Sequence, residues 1–322
     1  MSVKDAVLSQ LLKDRGAYRS GEELAEALSV SRSAVWKAVR QLRAEGHPIE
    51  ASTRLGYRLT GGDVLSREGI LAALTSTDYD IHVYQSVPST NPLLKSWAEE
   101  GAAEGCVAVA EEQTAGRGRR GRSFYSPKGT GLYLSILLRP KQHAEAALQI
   151  TTAAAVATAE AIEQVSGLPC EIKWVNDIYR DGKKLCGILT EASLDVESGG
   201  LNYAILGIGI NALPPAGGFP PELRGIAGSV FEGRGEADLR CRLAAALLDR
   251  FAVYYRELGS ERCFEEYRRR SLVLGKRVTV FSGGEAQGEA QVLELERDYS
   301  LRVRWDDGLE SCLNSGEVSV HP

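Results

Sequence analysis

The stretch AGRGRRGRSFYSPKGTGLYLS, Ala115 to Ser135, decides how the rest of the chain is read. From Gly116 to Arg122 three glycines interleave with four arginines, and an apolar run of strand character, LYLSILLRP, follows closely. Glycine lets a backbone approach a ligand closely, and the planar guanidinium fork suits phosphate and carboxylate. A Gly/Arg loop held between two strands is therefore a natural clamp for a phosphorylated ligand, and repulsion among its arginines favours disorder when it is empty. An RNA-binding segment or a solvated surface loop shares the composition, although such segments sit mostly in low-complexity tails. Neither G-x-x-x-x-G-K-[ST] nor a dinucleotide G-x-G-x-x-G context is present, which argues against the standard nucleotide-binding folds.

Around this loop the chain is ordinary in composition. Its 322 residues carry a formal charge of −5, with 43% hydrophobic and 25% charged side chains, and are long enough for two or three domains. No run approaches the roughly 18 apolar residues of a membrane span, so no membrane partner is expected. The N-terminal MSVKDAVLSQLLKD reads as an amphipathic helix and not as a signal peptide. The six cysteines are scattered with no CxxC pair, as in a cytoplasmic protein with reduced, mostly buried thiols, and the four scattered histidines make no zinc site. Residues 1–62 hold ten Lys/Arg against seven Asp/Glu, about +3, which leaves about −8 for the remainder. A basic piece on an acidic body implies two different partners.

Residues 1–62 carry helix signals first. Leu8, Leu11 and Leu12 recur at helical spacing, and Ser20 with Glu23 forms a capping box before GEELAEAL. Ser31 caps a second helix with Val35, Val39 and Leu42 on its apolar face and Arg32, Ser33, Lys37, Arg40 and Arg43 on the other. No acid occurs from Ala27 to Ala44. IEASTRLGYRLT then reads as a hairpin with Arg54 and Arg58 near its tip and a turn at Leu55–Gly56. Two helices with a basic second face, followed by a basic hairpin, have the layout of a winged helix-turn-helix that reads a DNA major groove. A protein-docking domain of the same shape is the alternative.

GGDVLSREG (61–69) reads as a linker. Strand and helix signals alternate beyond it: HVYQSV, a helix from STNPLLKSWAEEG, CVAVAEEQ, LYLSILLRP, the alanine-rich helix AEAALQITTAAAVATAEAIEQVSG, the strands CEIKWVNDIY and KLCGILTEASL around a turn at Asp181–Gly182, and NYAILGIGINA. After Leu272 short alternating strands at close spacing suggest a small all-β barrel. The fold class is thus α+β, with a winged helix-turn-helix over 1–62, a central α/β domain with a mixed, mostly antiparallel sheet over 63–271, and a C-terminal β-barrel over 272–322.

Three further clusters could carry chemistry. IKWVND (172–177) places Lys173 and Asp177 among apolar residues on a buried strand, where charges need a partner or a ligand; a structural ion pair explains them equally well. In KKLCGIL, Lys184 begins an apolar strand and Gly187 permits close approach. PSTN offers Ser89, Thr90 and Asn91 as small polar groups at a helix start, a pattern that plain N-capping also produces.

Taken in chain order, PSTN, AGRGRRGR, KWVND, KKLCGIL and GIGINA closely resemble the motifs of biotin protein ligases. With the winged helix in front, essentially the whole chain resembles the bifunctional bacterial biotin ligase and biotin-operon repressor. The resemblance implies a class II aminoacyl-tRNA synthetase-like central domain and an SH3-like C-terminal barrel. It implies ligation of biotin to the biotin carboxyl carrier protein of acetyl-CoA carboxylase through biotinyl-5′-AMP, made from biotin and ATP with Mg²⁺. It also implies repression of biotin genes at double-stranded operator DNA by a ligand-promoted homodimer, with biotinyl-5′-AMP as corepressor.

Residue roles follow from the same resemblance. Ser89, Thr90, Asn91, Gln113, Arg117, Gly118, Arg119, Lys184 and Gly187 would contact biotin. Gly116, Arg117, Arg119, Arg120, Gly121, Arg122, Phe124, Lys173, Asn176 and Asn211 would hold ATP or the adenylate, Phe124 standing where the family often has tryptophan over the adenine. Lys184, Arg119 and Asp177 would be catalytic, with Asp177 also a Mg²⁺ ligand. Ser31, Arg32, Ser33, Lys37, Arg40 and Arg54 would touch DNA. Val175 replaces the family's usual proline, and a small geometric effect is expected. A lipoate–protein ligase, a transcription factor that binds biotin without transferring it, and a ligase without operator binding are the rival readings.

Overall fold

The computed structural model describes residues 2–76, 79–140, 146–194, 200–233, 237–314 and 317–320. Three helices open the chain: α1 (Val3–Lys13), α2 (Gly21–Ala27) and α3 (Arg32–Ala44). Ser2 and Ser20 start the first two through capping boxes with Asp5 and Glu23, and Ser31 Oγ accepts from Ala34 N at 3.2 Å at the start of α3. Each cap satisfies a backbone donor that the helix leaves open, worth about 1 kcal/mol. Val7, Leu8, Leu11, Leu24, Val35, Val39 and Leu42 close a small core with the hairpin of β1 (Ile49–Ser52) and β2 (Gly56–Leu59). Gly56 turns at φ +96°, and any Cβ there would collide with the Arg19 carbonyl. Two arginines of the basic surface are engaged locally: Arg43 Nε donates to Ile49 O at 2.6 Å, and Arg58, on β2, pairs with Glu50 Oε2 at 2.5 Å.

The segment read as a linker is partly helical, since α4 (Arg67–Ala73) begins inside it on the Ser66 cap. The central sheet has seven strands in the order β3-β4-β5-β9-β8-β7-β6. These are β3 (Asp80–Tyr84), β4 (Cys106–Ala110), β5 (Leu132–Leu138), β6 (Glu171–Lys173), β7 (Asp177–Arg180), β8 (Lys183–Leu194) and β9 (Leu201–Ile210). Only β3 and β4 pair parallel. One face is covered by α6 (Ala146–Ser166) and α7 (Leu239–Arg256), the other by α5 (Thr90–Glu99), which packs Leu94 and Ala98 on Ala108, Leu137 and Ile205. Burial on both faces explains why β5 reads as an apolar run interrupted only by Ser135. The first two residues of the alanine-rich helix expected from the sequence lie outside the described residues; Gly167, at φ +71°, follows its last turn. No helix among the described residues is long and apolar enough to cross a membrane.

CEIKWVNDIY is not one strand. It folds back on itself as β6 and β7, joined through Trp174, Val175 and Asn176 with a cis Trp174–Val175 peptide, and so sets Lys173 directly opposite Asp177. The charges that seemed to alternate along a strand instead face each other across a tight hairpin. After α8 (Glu261–Arg269) the chain forms a five-stranded antiparallel sheet in the order β13-β12-β11-β10-β14. Its strands are β10 (Arg277–Ser282), β11 (Glu285–Leu295), β12 (Leu301–Trp305), β13 (Glu310–Leu313) and β14 (Glu317–Val320). Among the described residues β13 and β14 remain its two edges, so the expected barrel is an open sheet here. Trp174 Nε1 donates to Tyr299 O at 2.8 Å and Tyr267 Oη donates to Val175 O at 3.1 Å, which fastens the β6–β7 hairpin to this sheet and to α8.

One buried ionic group ties Asp63, just past the first 62 residues, to the start of α7 and the end of β4. Arg240, at the start of α7 and 2% exposed, donates Nε to Asp63 Oδ2 at 2.7 Å, Nη1 to Glu111 Oε2 at 2.7 Å and Nη2 to Asp63 O at 2.7 Å. Burial works against its charge, and Glu111 and Asp63 outweigh that. Two residues earlier Asp238 takes the Arg15 guanidinium, and its own N–H donates to Gly62 O at 2.9 Å.

Candidate ligand site and DNA-facing surface

A cavity of about 480 Å³ lies over the middle of the central sheet, between the first turn of α5, the Gly/Arg loop, the β6–β7 hairpin, the start of β8 and the end of β9. That volume suits a compact organic ligand. Most residues singled out in the sequence line it: Ser89, Thr90, Asn91, Gln113, Arg117, Gly118, Arg119, Arg122 and Phe124 from one side, and Lys173, Asn176, Asp177, Lys184 and Gly187 from the other.

Its floor is glycine. On β9, Gly207 and Gly209 alternate with buried Leu206, Ile208 and Ile210, so the cavity-side face there carries no side chain. Phe124 occupies part of the space this leaves, since a Cβ on Gly209 would come within 2.6 Å of its ring and one on Gly187 within 3.4 Å. The ring meets Tyr133 edge-on at 6.4 Å.

The Gly/Arg loop has a defined shape. Gly118 N donates to Arg122 O at 2.7 Å and Phe124 N to Gly116 O at 2.9 Å, with an isolated bridge between Arg117 and Ser123 and Arg120 turned at φ +55°. Arg119 Nη1 donates to Asn176 Oδ1 at 2.7 Å, and Asn176 Nδ2 donates to Ile188 O at 2.7 Å. The loop is thereby tied to the hairpin below it. Gly116, Arg120 and Gly121 stand in the loop but do not border the cavity.

Opposite, Lys184 Nζ contacts Asp177 Oδ2 at 2.6 Å, and both side chains are partly exposed, at 29% and 22%. Asp177 Oδ1 is buried with no hydrogen-bond partner. Lys173 Nζ stands 5.2 Å from the Tyr179 ring, whose hydroxyl is pushed up to about 12 by burial and by the Asp177 charge. Asn211 lies behind Lys184: its N–H donates to Leu185 O at 2.8 Å and its Nδ2 to Lys184 O at 3.4 Å, away from the cavity lining.

Ser89, Thr90 and Asn91 are 6%, 3% and 4% exposed. Ser89 makes no side-chain cap for α5, so the plain capping explanation does not hold. Gln113 Oε1 does that work instead, accepting from Thr90 N at 2.9 Å. No cysteine takes part: burial pushes Cys170 and Cys241 up to about 12 and Cys263 up to about 11, and raises Cys186 well above the usual thiol range.

Two walls were not legible in the sequence. Leu223 and Ile226, from the Pro/Gly-rich loop 213–225 and just past it, reach the cavity because Lys184 N donates to Ile226 O at 2.8 Å and Gly228 N to Lys184 O at 2.9 Å. Phe281, Gly284, Val318 and Ser319 arrive from the C-terminal sheet. Nothing local in the sequence announces either wall.

On the first domain, Ser31, Arg32, Ser33, Lys37, Arg40 and Arg54 are all exposed. Arg40 lies 5.6 Å from the ring of Trp36, itself 52% exposed on the same helix. The face is basic, acid-free and uncovered by the rest of the chain.

Residues 83–211 match the Biotin/lipoate A/B protein ligase family and residues 4–58 match an HTH domain family. The chain is 39% identical over 254 residues to a bifunctional ligase/repressor BirA of Bacillus spizizenii, covering 78% of each protein. It is 30% identical to a biotin–[acetyl-CoA-carboxylase] ligase of Mycobacterium tuberculosis, covering 74% of this chain and 85% of the other. A solved biotin protein ligase from Aquifex aeolicus in complex with biotin and ATP superposes with a TM-score of 0.61 at 27% identity, over 75% of this chain and 98% of that one. The chain belongs to the biotin protein ligases of the biotin/lipoate A/B protein ligase family, in the bifunctional branch that carries an N-terminal helix-turn-helix.

Proposed function

We propose that the protein joins biotin and ATP into biotinyl-5′-AMP, passes the biotinyl group to one lysine of a biotin carboxyl carrier protein, and represses biotin genes by binding operator DNA. One observation carries the enzymatic half. Lys184, Arg119, Arg117 and Arg122 border the same cavity as the buried trio Ser89, Thr90 and Asn91. A polar, water-poor pocket for a small head group thus adjoins a cluster of cations for carboxylate and phosphate.

In the first step a biotin carboxylate oxygen attacks the α-phosphorus of ATP, the bond to the β-phosphate breaks, and pyrophosphate leaves. In the second the acceptor amine attacks the acyl carbon, AMP departs with the acyl–oxygen bond's electrons, and the amine loses a proton. Neither step needs a protein nucleophile. Both depend on alignment and on cations placed where charge gathers, which is the role assigned to Lys184 and Arg119. Arg117, Arg122, Lys173 and Phe124 bind the adenylate in this reading, while Asn211 acts by holding the Lys184 backbone. Folding of residues 116–122 over the acyl phosphate keeps water from it.

The residues fit a magnesium ion that arrives with ATP. Asp177 Oδ1 is a buried carboxylate oxygen without a partner, and among the described residues no group of three acidic, histidine or cysteine side chains could hold a metal alone. Magnesium held by one or two carboxylates and completed by substrate phosphates has this donor set. Asp177 would hold the ion there, and the chemistry it would supply is neutralisation of phosphate charge.

The regulatory half rests on Arg32, Lys37, Arg40 and Arg54, with Ser31 and Ser33 at the helix start, docked in a major groove. A homodimer promoted by the adenylate would present two such domains to a palindromic site. Segments 1–62, 63–271 and 272–322 act as domains in this reading, the last an open sheet of SH3-like type that supplies Phe281 and Val318 to the nucleotide side. Biotin-dependent exchange of labelled pyrophosphate into ATP, with lipoate and octanoate as controls, tests the proposal. Exchange with biotin alone supports it, and absence of exchange with any acid overturns the ligase reading.

A further inference from the structure

A serine outside the motifs governs how the head-group end of the cavity is polarised. Ser135, in the middle of β5, is fully buried, and its cross-strand partners are Ala108 and Gly207. Gly207 leaves room for the Asn91 side chain, which any Cβ would strike. In that space Ser135 Oγ lies 2.7 Å from Thr90 Oγ1 and 2.6 Å from Asn91 Oδ1.

The hydrogens can be placed by elimination. Asn91 Nδ2 donates to Glu191 Oε2 at 2.7 Å, and a carboxylate only accepts, so Asn91 Oδ1 is the atom facing Ser135. An amide oxygen cannot donate, so the single Ser135 hydrogen goes to Asn91. At the other end Gln113 Oε1 accepts from Thr90 N at 2.9 Å, which fixes that amide as well. Its Nε2 donates to Ser126 Oγ at 3.1 Å, and Ser126 donates on to Phe124 O at 3.0 Å. The Thr90 hydroxyl is left between two acceptors, Ser135 Oγ and Gln113 Oε1 at 3.1 Å, and donates to one of them. Its hydrogen therefore points into the protein.

Asn91 Oδ1 keeps one lone pair and Thr90 Oγ1 keeps both, and both residues line the cavity. The wall is a fixed pair of acceptors, matched to a ligand that offers two N–H groups, as a cyclic urea does. A dithiolane ring or an alkyl chain offers none. We propose that Ser135 is a specificity-determining positioning residue: it locks Thr90 and Asn91 as acceptors and so selects a ureido head group over other carboxylic acids of similar length. The inference rests on the biotin-activating reading above.

Without the Ser135 hydroxyl, the Thr90 hydrogen keeps only the longer contact to Gln113 Oε1 at 3.1 Å and turns toward the ligand more readily, and only the exposed Glu191 orients Asn91. Loss of one such hydrogen bond is worth about a factor of ten in affinity. The test is pyrophosphate exchange by wild type, Ser135→Ala and Ser135→Cys, with biotin and ATP varied separately, lipoate as competitor, and the melting temperature followed in parallel. Expected for Ser135→Ala is a rise of about tenfold in KM for biotin, with KM for ATP and kcat within about twofold of wild type and weaker rejection of lipoate. Ser135→Cys, which keeps a weak donor and most of the volume, should fall between, and carries the test if the alanine variant does not fold. An unchanged KM for biotin, or equal losses in kcat and both KM values, overturns the inference. Wild type that exchanges with no acid overturns the ligase reading beneath it.

Discussion

Two arrangements of cation and carboxylate sit on opposite sides of the same sheet, and they are built to different ends. Arg240 is closed in: Asp63, Glu111 and two backbone carbonyls surround a side chain that is 3% exposed. Lys184 has a single carboxylate, Asp177, with both groups partly exposed to a cavity and one carboxylate oxygen left without a partner. A satisfied buried cluster cannot exchange partners without leaving a charge stranded, so it holds structure. A half-open pair with a spare acceptor can trade one partner for a ligand, so it is available for chemistry. Burial and completeness, not the presence of opposite charges, separate the two.

The sharpest way to break this contrast is Arg240→Ala. Two carboxylates would be stranded, and unfolding free energy should fall by about 3–5 kcal/mol in denaturant titration. Exchange activity per folded molecule should hold. Lys184→Ala should do the reverse, lowering biotin-dependent exchange by about 100- to 1000-fold while leaving the denaturation midpoint in place. If both variants lose stability alike, the distinction fails. Arg119→Ala should be milder: with the tie to Asn176 gone the loop closes less well, and free biotinyl-adenylate should escape about tenfold faster in a filter-release assay. Release at the wild-type rate would mean the loop needs no such anchor.

The smallest effect concerns His47, 8% exposed three residues past the end of α3. Burial lowers its pKa below the usual 6.5, with Glu45 opposing and Lys4 and Arg15 adding to the shift. The unfolded chain then binds the proton more readily than the folded one. Stability contributed by the neutral ring is intact above pH 6.5 and is lost as pH falls through the lower folded value. Acidification from pH 7 to 5 should lower the melting temperature of wild type more than that of His47→Gln. Equal slopes would place the charge change elsewhere.

What the sequence made legible was whatever is local. The capping serines, the amphipathic face of α3, the glycine alternation of β9 and the Gly/Arg loop announce themselves through spacing of a few residues. The chemistry clusters were found the same way and came together in one cavity. What stayed hidden depends on distant segments meeting. Ser135 looks like a tolerated polar residue in an apolar strand until α5 is laid over it. Lys173 and Asp177 oppose each other only because the chain reverses between them. Leu223, Ile226 and Phe281 become walls through backbone pairing and sheet docking that no short window encodes.

The Arg240 cluster also decides where the molecule can be cut. Asp63 gives Arg240 both carboxylate oxygens' side of the contact and its own carbonyl, and Leu65 N donates to Glu111 Oε1 at 3.2 Å. A stand-alone ligase fragment that starts at Gly62 keeps this seam intact and gives up the Arg15 contact to Asp238 and the packing of α1 on α4. One that starts at Ser66 exposes a raw edge in which Arg240 and Glu111 each lack a native neighbour. Trimming the repressor from the ligase is thus a matter of three or four residues, and the wrong choice would pass for an effect of losing DNA binding.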